Sequence, residues 1–390
     1  MKRLLCAVLV SIPLYAATDA EILRIQAEIQ AGNLDTAERA LDAATRTDSA
    51  NGGLYNLRGI IEATRHQTAA AAASFDKAIG LNPRLTAAYL NFGRACEMLS
   101  AQDPTALDRA IVRYRSLLAI DPEAAEARVQ LAELLTKSVT SLMESARLAQ
   151  SQNDLRGALG YLAHARTLQP DYAPVHFFFG VVCIELNLPI EAKKSLDKAL
   201  ALDPNNAAYN YARGSVELQG NSAWLAIPYF KKFVAAEPEN PRGRFALAVS
   251  EFSSHDYEAA AGHLNSIVGH KETEAGVQYF LGRIAKVNGD WNAAAGYLAK
   301  SIAAAPDYTE SHAELGLAKM HLGDLEAARA EIAQALQLSP NSYLANANLL
   351  ALYQRTKDPR LPEQQQRLRE LDAKRSENQE LMVRTIRVEP

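Results

Sequence analysis

The chain has 390 residues, is 48% hydrophobic and 22% charged, and carries a formal net charge of −4. Those values suit a folded chain with enough apolar side chains for a core, and they exclude a low-complexity disordered one. They leave no overall basic excess of the kind that nucleic-acid or anionic-membrane binding draws on. Three cysteines without a C-x-x-C or a Cys/His cluster give no support to metal or haem attachment.

Residues 1–17 have the layout of a secretory signal peptide: basic Lys2 and Arg3, an apolar run over 4–14, then the small residues Ala16, Ala17, Thr18 and Ala20. The apolar run is short of the ~20 residues a bilayer requires. Cleavage is expected after Ala17 or Ala20, giving a periplasmic or secreted protein with no membrane span in its mature form.

Helix-turn-helix units then follow one another. The first covers 18–51 (Gly32, Ala37, Leu41, Ala44) and the second 52–85 (Gly59, Ala71, Phe75, Ala78, Pro83). The third starts at Thr86 with Gly93, takes up about five extra residues at 101–105, and recovers at Ala110, Tyr114, Leu117 and Pro122. These three units fill 18–122. The fourth, 123–172, has an ordinary second helix over 154–168. Its first helix is long: residues 123–152 contain no Pro or Gly, and Leu131, Leu135, Val139, Leu142, Ala146 and Ala149 form one apolar stripe. The surplus is about fourteen residues, close to four turns at ~3.6 residues each. It therefore lengthens the helix without rotating its packing face. This spacing predicts a projecting helix, bent near 138–141, whose stripe is buried on a partner, on a second copy (self-association through 123–152) or back on the array.

Over 173–342 a 34-residue pattern repeats five times without a gap. Its alanine column holds Ala192, Ala226, Ala260, Ala294 and Ala328, already present at Ala158. Four residues on stand Leu196, Phe230, Leu264, Leu298 and Ile332, preceded by Leu162. Pro170, Pro204, Pro238, Pro306 and Pro340 close units, and Glu272 breaks the column. A fixed period in this range is the mark of a solenoid, in which each unit buries its apolar face on the next. In the last full unit a first helix is predicted over 311–322 and a second over 325–338. Between them Gly323 takes the left-handed cap and Asp324 the next N-cap. Gly316 and Ala328 let the paired helices approach, and Ile332 fills the space between units. Pro228, inside a second helix, predicts a local change of curvature. Residues 343–356 form a tenth first helix, 357–360 a break, and 362–375 a polar capping helix with Leu368 and Leu371 inward. The capping repeat thus covers 343–375. Residues 376–390 read as a flexible tail, in which Leu381, Met382 and Val383 have the means to dock on the last repeat. Cys96 and Cys183 sit in units two apart, too far for a disulfide, and read as buried apolar side chains.

The columns Leu315-Gly316, Gly323-Asp324, Ala328, Ile332, Ala335 and Pro340, with Leu281-Gly282, Gly289-Asp290, Ala294, Leu298 and Pro306, resemble those of the tetratricopeptide repeat family. The resemblance covers nearly all of the chain after the signal segment. It implies an all-α fold, a right-handed superhelical solenoid of about ten helix-turn-helix repeats, whose work is to bind a protein or peptide rather than to catalyse. It also implies that fixed places of each first helix line a concave groove. Carried onto this chain, those places hold Phe177, Val181, Ile184, Tyr211, Leu218, Phe245, Val249, Phe252, Tyr279 and Arg283, edged by Arg213, Arg242 and Lys286. In the first two units the corresponding places are polar or small: Gln26, Gln30, Asn56, Ala63 and Thr64. Exported members of the family also assemble secreted polysaccharide or outer-membrane complexes, which is the alternative role. No H-E-x-x-H, G-x-S-x-G or Gly-rich phosphate loop is present. His164, His176, His255, His312 and His321 are scattered without metal-ligand spacing. The expectation is no enzyme, no cofactor, no metal and no nucleic acid.

Overall fold

The computed structural model describes the backbone of residues 19–386 and the side chains of residues 20–374, residue 221 excepted in both. The signal segment 1–17 and the side chains of Leu381, Met382 and Val383 lie outside the described residues. Among those described there are twenty α-helices and no strand. The chain divides into two compact units, one ending at Asp171 and one beginning at Tyr172. The first holds α1 (Asp19–Gln30), α2 (Leu34–Thr47), α3 (Gly52–Thr64), α4 (Thr68–Leu81), α5 (Thr86–Leu99), α6 (Ala106–Ile120), α7 (Ala125–Ser151) and α8 (Leu155–Leu168). The second runs through α9 (Ala173–Glu185), α10 (Pro189–Leu202), α11 (Ala207–Gln219), α12 (Ala223–Ala236), α13 (Pro241–Ser253) and α14 (Tyr257–Asn265). It ends with α15 (Glu274–Val287), α16 (Trp291–Ala304), α17 (Thr309–His321), α18 (Leu325–Leu338), α19 (Tyr343–Thr356) and α20 (Leu361–Ile386).

The regular repeat is built as α17 and α18 are. Gly323 sits at φ +87°, where a left-handed turn costs glycine least. Asp324 accepts a hydrogen bond from the Ala327 amide at 3.1 Å and so starts α18. Ala328, Ile332 and Ala335 then fall on one fully buried face. Ile332 joins Ala328 and Met320 to Leu352 of the following repeat, and so fills the space between units. A Cβ on Gly316 would stand 2.6 Å from the Ile332 side chain and 3.2 Å from the Ala328 carbonyl. Gly316→Val should therefore destabilise the array by about 1–3 kcal/mol through overpacking. A denaturation midpoint equal to that of the wild type would contradict this packing.

The turns between repeats share a device. The carbonyl of the closing proline accepts a hydrogen bond from the side chain six residues on. The pairs are Tyr89 to Pro83 at 3.1 Å, Asn210 to Pro204 at 3.1 Å, Arg244 to Pro238 at 2.9 Å, His312 to Pro306 at 2.9 Å and Asn346 to Pro340 at 3.1 Å. Different residue types do one job, because each places a donor one turn into the next helix, within reach of a carbonyl that no helix satisfies. His312 belongs to this device, and its other ring nitrogen lies 2.7 Å from Glu331.

Three elements depart from the regular repeat. α7 is one unbroken helix of 27 residues. It does not project bare: Ala127, Leu134, Ser138, Val139, Ala146 and Ala149 are buried along its whole length. Ion pairs Arg94–Glu126 and Lys137–Glu97, both at 3.9 Å, tie it to α5. Its stripe is thus covered by its own repeats, so burial does not require a second copy. α14 stops at Asn265, whereas α12 and α16 each run 14 residues. In place of its last turns, Ile267 drops into the core, Gly269 turns at φ +90°, and Glu274 accepts the Gly269 amide at 2.6 Å. This is the unit where Glu272 replaces the closing proline. α20 continues past residue 375 to Ile386, where a loose tail was expected. Neither Cys96 nor Cys183 is in a disulfide, both are buried, and burial pushes the Cys96 thiol up to about 11.

Candidate partner-binding face

The ten groove residues lie on α9, α11, α13 and α15, the first helices of four successive repeats in the second unit. The repeat period sets them in three columns. Phe177, Tyr211, Phe245 and Tyr279 form the first; Val181, Val249 and Arg283 belong to the second; Ile184, Leu218 and Phe252 to the third. The structure does not treat them alike. Phe177, Val181, Ile184, Tyr211, Leu218, Phe245, Val249 and Arg283 keep part of their surface open. Phe252 and Tyr279 are only 7% and 6% exposed and belong to the core. Tyr211 packs inward on Phe230 and Phe233, with centroids 5.6 and 5.0 Å away. Leu218 leans on the same cluster.

Four of the ten, Phe245, Phe252, Tyr279 and Arg283, are brought together by a residue outside the columns. Phe280 sits 5.9 Å from Phe245, 5.2 Å from Phe252 and 5.2 Å from Tyr279, in edge-to-face geometry. The Arg283 guanidinium lies over Phe252 at 4.5 Å, Tyr279 at 5.6 Å and Phe280 at 5.8 Å. Tyr308 closes the far side of Tyr279 at 5.1 Å, and burial raises both phenols. The two preceding repeats carry Ala212 and Ala246 at the place of Phe280, and the repeat before them carries Phe178. Where Ala246 gives way to Phe280, the ring fills the space between Phe245, Phe252 and Tyr279. Phe177 pairs separately with Tyr209 at 4.9 Å.

The cationic edge is not free. Arg213 is buried; its Nε donates to Asp197 at 2.7 Å and its Nη1 to Glu217 at 2.5 Å. Arg242 donates to Glu272 at 2.9 Å. Lys286 donates to both carboxylate oxygens of buried Glu314 at 2.7 and 2.6 Å, with Arg283 at 3.9 Å. These cations neutralise the chain's own carboxylates, so the face offers apolar contact rather than positive charge.

Two buried glutamates one repeat apart meet opposite conditions. Glu217 and Glu251 stand at the same place in successive units, each 4% exposed at the side chain. Burial pushes the Glu217 carboxyl up, but Lys193 and Arg213 outweigh it and hold the group below its ordinary value. The next unit has Ile227 and Leu247 where those cations stand. Glu251 is left with His263 at 3.7 Å and an Oε2 that accepts no hydrogen bond, and burial raises its carboxyl.

Among the described residues no three His, Cys, Asp or Glu side chains are placed to share a metal ion, and no helix is long and apolar enough to cross a membrane. In the second and third repeats Asn91 donates to buried Asn56 at 3.1 Å.

Two family models, each described as tetratricopeptide repeat, match the chain. One covers residues 22–86, 225–275 and 279–343, the other residues 149–216. No curated protein matches it. Among solved structures it is similar to PilW, a widely conserved type IV pilus biogenesis factor, at 18% identity. That match covers 54% of this chain and 98% of the other, with a TM-score of 0.48. A tetratricopeptide repeat protein from Parabacteroides merdae matches at 16% identity over 68% of this chain and 98% of its own, TM-score 0.42. YrrB, a protein of the same repeat with an unusual peptide-binding site, matches at 21% identity over 47% and 95%, TM-score 0.39.

Proposed function

Since the chain belongs to the tetratricopeptide repeat family and is by that a scaffold for protein–protein interaction, we propose that it grips an apolar peptide segment of a partner along α9, α11, α13 and α15, without catalysing a reaction. One observation carries this reading. Phe177, Val181 and Ile184 on α9, Tyr211 and Leu218 on α11, and Phe245 and Val249 on α13 stay partly open on three successive first helices. An extended or helical segment with apolar anchors suits that strip, each anchor contributing ~1.5–3 kcal/mol before ordering costs. Val181 and Val249 separate binding from folding, because neither belongs to the buried clusters that hold Phe252 and Tyr211. Peptides selected from a displayed library against the full chain should bind Val181→Glu and Val249→Glu at least tenfold more weakly, a loss of ~1.4 kcal/mol. Equal affinity for wild type and variants would remove the groove from the account.

We place the protein in the periplasm or envelope on the strength of residues 1–17. Chain isolated from an envelope fraction should begin at Thr18 or Glu21; an intact N-terminus there would contradict cleavage.

A further inference from the structure

The second helices of two neighbouring repeats carry a face that the proposed groove does not use, and the inference from it does not rest on that groove. In α10 the buried side is Ala192, Leu196 and Ala199, so Ile190, Lys194 and Lys198, at i, i+4 and i+8, stand outward. In α12 the buried side is Ala226, Phe230 and Phe233, which leaves Trp224, Pro228 and Lys232 outward with Lys231 beside them. The two stripes are in register: Ile190 with Trp224, and Lys198 with Lys232.

Trp224 is 67% and Ile190 65% exposed, the two most open large apolar side chains among the described residues. Together α10 and α12 carry Lys193, Lys194, Lys198, Lys231 and Lys232 against only Glu191 and Asp197, within a chain of net charge −4. Asp197 is itself held by Arg213, and Lys193 by Glu217. Lys231, on the flank, faces Glu251 and His263 from the outside. The overall acidic balance thus hides one basic, apolar-tipped face.

We propose that this face rests on an anionic phospholipid surface. An indole prefers the headgroup level, where its ring is out of water and its N–H still finds a partner. Lysines placed one to two turns further along reach phosphates while their stems lie on apolar surface. The apolar residues are too few to insert deeply, so attachment is reversible and falls as salt screens the lysines.

The chain has two tryptophans, Trp224 and Trp291. In a full-length Trp291→Phe variant, Trp224 emission should shift to the blue and become shielded from iodide on adding vesicles of phosphatidylcholine with a third phosphatidylglycerol. Pure phosphatidylcholine should leave it unmoved. Independently of that variant, K194E/K231E/K232E in the otherwise unchanged chain should bind the anionic vesicles at least tenfold more weakly in co-sedimentation. Unchanged vesicle affinity in that triple variant overturns the proposal. So does attachment that leaves Trp224 emission where it was, which would mean that another segment holds the membrane. A blue shift with polyglutamate but not with vesicles also overturns it and assigns the face to an acidic polypeptide.

Discussion

Replacing Glu217 by glutamine is expected to destabilise the second unit, and replacing Glu251 by glutamine to stabilise it, although the two stand at the same place in successive repeats. Glu217 accepts from Lys193 at 2.7 Å and from Arg213 at 2.5 Å, and Arg213 is itself buried. Removing the carboxylate leaves those cations short of a partner, which costs about 2–3 kcal/mol; Lys193 keeps about a third of its surface, which holds the loss below that of a fully buried pair. The folded carboxyl is held below its ordinary value, so its contribution is present above the unfolded pKa. It is lost as pH falls through the folded pKa. Glu251 runs the other way. Its folded pKa is raised, so the protonated form is favoured, and stability is lost as pH rises through the folded value. Glu251→Gln should therefore raise the denaturation midpoint at pH 7, and the gain should disappear at acid pH, where the wild-type carboxyl is already neutral. Equal responses of the two variants across pH would contradict the assignment of partners.

Phe230→Ala is expected to have the largest effect on stability, about 3–5 kcal/mol, because the ring is fully buried and little around it can collapse into the space. Phe230 packs on Ala226, Ala246 and Leu247, approaches the Gly214 backbone, and meets the Tyr211 ring edge-on. Losing it loosens α11 against α12 and against the next first helix. In a linear array that weakness stays local. Hydrogen exchange should accelerate in α11 to α13 before it does in α17 and α18. Uniform acceleration along the second unit would show that the repeats unfold as one body.

The array was legible because every unit writes its environment into the same columns. α18 and α19 begin and end where the 34-residue register puts them. Ala328 and Ile332 needed no knowledge of distant residues, since their neighbours recur one period away. What escaped depends on departures from the period. Phe280 follows alanine at the same place in the two preceding repeats, and its ring packs on Phe252 and Tyr279, which are core rather than groove lining. Glu217 and Glu251 look alike in sequence, and only the cations contributed by α10 and by the preceding turn of α11 tell them apart. The apolar stripe of α7 was read as needing a partner, a second copy or the array itself to cover it. Periodicity shows which face is apolar but not what lies opposite, and here the facing surface is its own repeats. The cationic edge was legible as residues and not as charge, because Asp197, Glu272 and Glu314 come from other places in the register.

The central claim is that the open first-helix columns hold a partner. The direct measurement is photo-crosslinking of the full chain in an extract of its own cells, with a benzoylphenylalanine at 181 or 249, and at 296 or 326 on second helices as controls. The account predicts adducts to one protein at 181 and 249, suppressed by a peptide selected against the groove, and none at the control sites. Adducts confined to the second-helix sites would contradict it.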